Sequence, residues 1–107
     1  MEKGKCKVSV LYAAGEGKTF DMQYYKNKHI PLVKELLGPA LIASSIDGGI
    51  GGAIPGSTAP FMAIGHLYFN SVEEFAQAFG TQMPRISADV PNYTNAEPLI
   101  QINEVIA

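Results

Sequence analysis

Residues Phe61 to Phe69, read FMAIGHLYF, alternate between two sets that are both largely apolar. In an extended strand Phe61, Ala63, Gly65, Leu67 and Phe69 share one face, and Met62, Ile64, His66 and Tyr68 share the other. A strand that is apolar on both sides has to be covered on both sides. The rest of the chain must therefore supply a layer for one face and find cover for the other.

The surrounding sequence offers three more strands and two helices. Lys5 to Tyr12 alternates, with Cys6, Val8, Val10 and Tyr12 on one face. Ala13 to Lys18, with Gly15 and Gly17, reads as a loop. Thr19 suits a helix N-cap, with Asp21 just inside it at the positive end of the helix dipole. The helix that follows meets Pro31, which has no N–H for residue 27 and whose ring crowds that carbonyl. A break or kink near Lys28–Ile30 is expected, with Pro31 opening a second segment. Leu32, Val33, Leu36 and Leu37 supply its apolar stripe, and Gly38-Pro39 stops it. Leu41 to Asp47 reads as a weaker strand, and the glycine-rich stretch 48–56 as the tip of a hairpin or a turn over a ligand. Ser71-Val-Glu-Glu74 is a capping box opening a second helix, with Phe75, Ala78 and Phe79 buried and Gly80 as its end. Residues 81–97, with Pro84 and Pro91, read as irregular, and Pro98 to Ile106 as the last strand.

The order β-α-β-β-α-β predicts an α+β, ferredoxin-like fold: a four-stranded antiparallel sheet with two helices on one face, in a single domain over 1–107. Nothing in the sequence remains for the other face. Four strands ~4.8 Å apart and ~28 Å long expose roughly 530 Å² in plane. That rivals the largest apolar patch a monomer tolerates, about 300–600 Å². A homodimer, sheet against sheet, is the simplest solution. Eight Lys and Arg against ten Asp and Glu, with no basic run, leave nothing to neutralise phosphates, so nucleic acid is excluded as a partner. No apolar run approaches a membrane span, and the first residues carry no apolar signal core, so a cytoplasmic location and no membrane partner are expected. Cys6 is the one cysteine and reads as a small buried hydrophobe.

Two histidines stand out. Asp21, Tyr25 and His29 share a helix face at i, i+4, i+8. His29 sits where the helix must yield to Pro31, so its ring can be turned into a pocket as an acid/base, or can bond a carbonyl that Pro31 frees. Tyr12 or Tyr93 can donate to a developing oxyanion, whereas Tyr24 and Tyr25 also suit a core. His66, between Ile64 and Tyr68, faces either a cavity or the helices; in both cases it needs a partner. Asp89 and Arg85 can orient a substrate or pair with each other. The two histidines lie on different elements without ligand spacing, so no metal site is expected. The resulting reading is a small-molecule enzyme acting without metal, flavin or other cofactor on a small hydrophobic ligand, aromatic or carbonyl-bearing. His29 and Asp89 are its candidate catalytic residues, and Tyr12, Tyr25, His66, Tyr68, Arg85 and Tyr93 its candidate ligand contacts. The alternative is a non-catalytic binding or accessory protein.

Phe20-Asp21, Tyr24-Tyr25, His29-x-Pro31-Leu32, Gly65-His66-Leu67-Tyr68-Phe69 and Asp89-Val-Pro-Asn-Tyr-Thr94, followed by Pro98, Gln101 and Val105, resemble the EthD family. That family takes its name from a protein associated with ethyl tert-butyl ether degradation. The resemblance runs from Val8 to Val105. It departs at Ala13, where proline is expected, and in the glycine-rich 48–56 loop. It implies the dimeric α+β barrel fold. Similar barrels host cofactor-independent monooxygenases, polyketide cyclases, isomerising enzymes and haem-handling proteins, so the resemblance implies no single reaction.

Overall fold

A computed structural model describes residues 4–107 of the chain. Four strands, β1 (Cys6–Ala13), β2 (Ala43–Gly48), β3 (Phe61–Phe69) and β4 (Leu99–Glu104), form one antiparallel sheet in the order β2-β3-β1-β4. The helical elements are α1 (Met22–Tyr24), a π-turn (Tyr25–His29), α2 (Ile30–Leu37) and α3 (Val72–Asp89). Short 3₁₀ turns follow at Gly38–Ala40 and Val90–Asn92. Among the described residues no helix is long and apolar enough to cross a membrane.

Helices cover one face of the sheet, as the element order predicts. Val33 and Leu37 from α2, and Phe75 and Ile86 from α3, pack on Cys6, Val8, Leu67 and Phe69. The register that does this pairs Val8 with Leu67 and Cys6 with Phe69. Cys6 is buried in that core, and burial pushes its thiol pKa up.

The first helix starts two residues later than the sequence suggests. Asp21, not Thr19, is the N-cap: its carboxylate accepts the Tyr24 N–H at 3.1 Å. Thr19 is engaged elsewhere, its N–H donating to the Asn95 side chain. Pro31 does not break the helix. Tyr24, Tyr25, His29 and Ile30, at the two ends of the π-turn, keep right-handed helical dihedrals, and the Ile30 N–H reaches back to the carbonyl of Tyr25. Widening the turn by one residue absorbs the donor that proline lacks, which is how π-bulges arise inside helices. Gly38, with φ +60°, ends α2 in a conformation that favours glycine.

The second helix overrides its own sequence signals. Its capping box forms as expected, with the Ser71 hydroxyl accepting the Glu74 N–H at 3.1 Å. It then runs through Gly80 and Pro84 to Asp89, where an irregular segment was expected. The cost of an internal proline is about 3 kcal/mol. Burial of Ile86, about 1.5–3 kcal/mol, and the anchoring of Asp89 described below offset it.

The open face of the sheet is mixed rather than uniformly apolar. Leu11 and Ile64 are opposite one another on it, but the next row, Ser45, His66, Ser9 and Gln101, is polar across all four strands, and polar residues of the flanking rows join it. His66 Nε2 lies 2.7 Å from Asp47, His66 Nδ1 3.5 Å from Ser9 Oγ, and the Asn103 amide donates to Ser9 at 3.2 Å. Gln101 then donates to Asn103 at 2.7 Å.

These contacts set an order of sensitivity. Phe69→Ala, at a fully buried site, lowers the unfolding free energy by about 3–5 kcal/mol. Ser71→Ala, which removes only a cap, costs about 1 kcal/mol. Urea denaturation of the two variants checks the ranking.

Candidate functional site

Between the helices and the covered face of the sheet lies an apolar cleft lined by Val10, Leu67, Ile30, Val33, Phe79 and Ile86, among others. Its inner end is polar and aromatic. Tyr12 from β1, Tyr25 and His29 from the π-turn, and Tyr93 from the segment before β4 meet there, all buried. Ser87 and Ile100, both exposed, mark its mouth.

Three local arrangements bring these side chains together. The π-turn stacks Tyr25 on His29, ring centroids 5.5 Å apart and 17° from parallel. Gly65 makes room for Tyr25: a Cβ at this position would fall on the Tyr25 hydroxyl. The segment after α3 is fastened to the one before α1, because Asp21 N–H donates to the Tyr93 carbonyl at 2.7 Å. The Thr94 hydroxyl donates to the Thr19 carbonyl at 2.6 Å, and the Asn95 amide to that of Gly17 at 2.8 Å. Tyr93 is thereby held over His29, ring centroids 4.6 Å apart.

The polar atoms form one chain. Asp89 Oδ2 lies 2.8 Å from His29 Nδ1, His29 Nε2 3.4 Å from the Tyr93 hydroxyl, and the Tyr93 and Tyr12 hydroxyls 2.7 Å from each other. Burial pushes the Asp89 carboxyl up, but donors from Tyr24, Asn92 and His29 together bring it below its ordinary value. An ionised carboxylate only accepts, so His29 carries its proton on Nδ1 and turns a bare Nε2 inward. Burial lowers the His29 pKa, and the hydrogen bond and charge of Asp89 oppose this only in part. The ring is therefore neutral at physiological pH, in the form that accepts a proton. Burial raises the pKa of Tyr12, Tyr25 and Tyr93, so all three remain neutral hydroxyls able to donate.

Of the residues singled out in the sequence, Tyr12, Tyr25, His29, Asp89 and Tyr93 converge here. His66 and Tyr68 lie on the opposite face of β3, so the two histidines do not share a cavity. Arg85 is exposed on α3 outside the cleft lining, and Asp89 pairs with His29 rather than with it. Asp21 caps α1 and takes no part. Tyr24 and Asn92, which both donate to Asp89, stand in the Tyr24-Tyr25 and Asp89–Thr94 motifs, but neither is among the site residues expected from the sequence. Among the described residues no three His, Cys, Asp or Glu side chains gather as a metal would need.

An antiparallel β2-β3-β1-β4 sheet covered on one face by helices defines a ferredoxin-like α+β protein, and a His–Asp–Tyr chain lies in the apolar cleft between the two layers. Residues 14–97 match the EthD domain, and the chain belongs to the EthD family. It is similar to an EthD-like protein from Ralstonia eutropha JMP134, at 35% identity and TM-score 0.92, over 99% of this chain and 96% of the other. An EthD family protein from Bacillus halodurans C-125 superposes at TM-score 0.72 with 23% identity, over 95% of this chain and 99% of the other. A protein from Shewanella loihica PV-4, named as a candidate monooxygenase, shares the fold at TM-score 0.60 and 10% identity, over 100% and 99% of the two chains. No protein of curated function matches the chain.

The lowered His29 pKa ties stability to pH. The unfolded chain, with histidine near 6.5, takes up the proton more readily than the folded one. The contribution is complete above about pH 6.5 and is lost as the pH falls through the folded value. Urea midpoints between pH 7.5 and 5 should decline for the wild type and decline less steeply for His29→Gln.

Proposed function

We propose that this protein is an enzyme that moves a proton on a small, uncharged, hydrophobic compound bearing a carbonyl or phenolic oxygen, using its own side chains. The observation that supports this reading most is the Asp89–His29–Tyr93–Tyr12 chain at the inner end of an apolar cleft. Neutral His29 takes the substrate proton on Nε2 and becomes an imidazolium paired with Asp89. The electron pair left on the substrate moves to its oxygen, which accepts hydrogen bonds from the Tyr93 and Tyr12 hydroxyls. The anion so formed is the common starting point of oxygenation by dioxygen, cyclisation and isomerisation.

The lining favours an uncharged ligand, since no Lys or Arg contributes to it. Size is the tighter constraint. The cavity is about 60 Å³, smaller than the ~150 Å³ apolar cavity that holds benzene. An aromatic ring enters only if the mouth around Ser87, Phe79 and Ile100 widens.

The same reading includes a homodimer through the open sheet face. Leu11, Ile64 and Met62 support it as apolar contacts, and the polar row through His66 would fix the register of the two sheets. A cytoplasmic setting accords with the lone buried cysteine.

Two measurements test these points. Small enolisable ketones and phenols incubated with the protein in D₂O should take up deuterium, and His29→Ala should slow exchange by roughly 10²–10⁴-fold. Ligand binding that raises the melting temperature without exchange, or exchange unchanged in His29→Ala, overturns the catalytic role. Light scattering at micromolar concentration should give twice the chain mass, and Ile64→Glu should halve it; a monomeric wild type removes the dimer.

A further inference from the structure

Asp89 is gripped from three sides, and only one of the contacts is His29. Its Oδ1 accepts the Tyr24 hydroxyl at 2.7 Å and the Asn92 amide at 2.9 Å, while Oδ2 faces His29 Nδ1 at 2.8 Å. The Asn92 amide also reaches the Tyr24 hydroxyl at 3.4 Å, which closes the cluster on itself. We propose that Tyr24 and Asn92 are positioning residues that hold the Asp89 carboxylate in one orientation on His29 Nδ1 and so keep the Nε2 lone pair of that ring turned into the cleft. This rests on the reading of His29 as the base.

The geometry separates the two donors from the chemistry. Tyr24 and Tyr25 are consecutive but serve opposite sides of the site. Tyr25 stacks on His29 inside the cleft, whereas Tyr24 lies outside it, nearly parallel to Tyr93 with centroids 6.2 Å apart. Asn92 is exposed at the end of the 3₁₀ turn that follows α3. Neither lines the cleft, so neither touches a bound substrate. What they touch is the carboxylate, and each arrives from a different element: Tyr24 from α1, Asn92 from the turn, Asp89 from the last residue of α3.

The physical need for them follows from the carboxylate itself. Asp89 terminates a helix beyond an internal proline, at a part-exposed position where water competes for both oxygens. With two donors fixed on Oδ1, rotation of the carboxylate loses hydrogen bonds, and Oδ2 remains aligned with the imidazole. Without them the carboxylate turns to solvent, Nδ1 loses its acceptor, and the proton of the neutral ring is free to occupy Nε2. That tautomer has no lone pair facing the cleft. Tyr93, and Lys28, whose ammonium lies 5.6 Å from the Tyr24 ring centroid, are further ionisable groups beside this cluster.

The tautomer is directly measurable, because the chain has two histidines and His66→Gln identifies the second. In histidine-labelled protein at neutral pH, nitrogen-15 spectra of the wild type should show His29 with a protonated Nδ1 and a bare Nε2. Tyr24→Phe combined with Asn92→Ala should give a mixture of tautomers, and Tyr24→Phe alone, a mild change at a part-exposed site, should shift it in the same direction should the double variant not fold. Asp89→Asn is the control and should abolish the Nδ1–H form. A double variant, or a Tyr24→Phe protein, that keeps the wild-type signature while Asp89→Asn loses it overturns the positioning role and leaves His29 as the base. A wild-type signature that survives Asp89→Asn overturns the Asp89–His29 pairing on which both readings stand.

Discussion

Pro31 has no N–H to give to residue 27, and much of the site follows from how the helix accommodates that. A clean break would have let the chain before Pro31 turn away from the sheet. The π-turn keeps the helix running and places one extra residue in the turn. Tyr25 and His29, four residues apart on this continuous helix, both point inward and stack. Two further demands come from this. Tyr25 needs space against the sheet, which Gly65 supplies by having no side chain. His29 needs an acceptor for its Nδ1–H in a buried position, which obliges α3 to persist as far as Asp89.

That last demand explains where the sequence misleads. Gly80 and Pro84 are strong local stop signals, and they lost to tertiary contacts worth as much or more. Phe75, Phe79, Gln82 and Ile86 keep a 3.6-residue spacing across the proline, a pattern that the stop signals at Gly80 and Pro84 outweighed in the sequence reading. The strand alternation was legible in β1 and β3, as was the capping box at Ser71, since both depend on residues a few positions apart. Which face of β3 meets the helices was not legible from hydrophobicity, because both faces are largely apolar. Side-chain size held the answer: Ala63 and Gly65 are the small residues on which large tyrosines can rest. Of the site, His29, Asp89, Tyr12, Tyr25 and Tyr93 could be picked out by residue type and motif. Their meeting point depends on a sheet register and a helix length that no local pattern encodes.

Two opposing effects act on the His29 ring. Burial among Tyr25, Tyr93 and Ile30 disfavours the imidazolium, and the Asp89 carboxylate favours it. Burial prevails, so the resting ring is neutral, yet the carboxylate is in place to stabilise the charge that proton uptake creates. The tyrosines around it follow the same logic. Burial keeps their hydroxyls protonated, so they do not compete with His29 for a proton and are available as donors.

His66 has a carboxylate partner too, at 2.7 Å, and its environment shows why a His–Asp pair alone does not make a site. Asp47 is largely exposed, its side chain at 64% of full accessibility, whereas that of Asp89 is at 13%. Water and salt screen the first pair, and its histidine faces no cleft. The second pair is walled by aromatic rings and opens on an apolar space. A two-residue period in β3 separates the two surroundings: Gly65 points to the cleft, His66 to the open face. The two histidines thus meet opposite faces of β3, one beside a sheltered carboxylate and the other beside an exposed one.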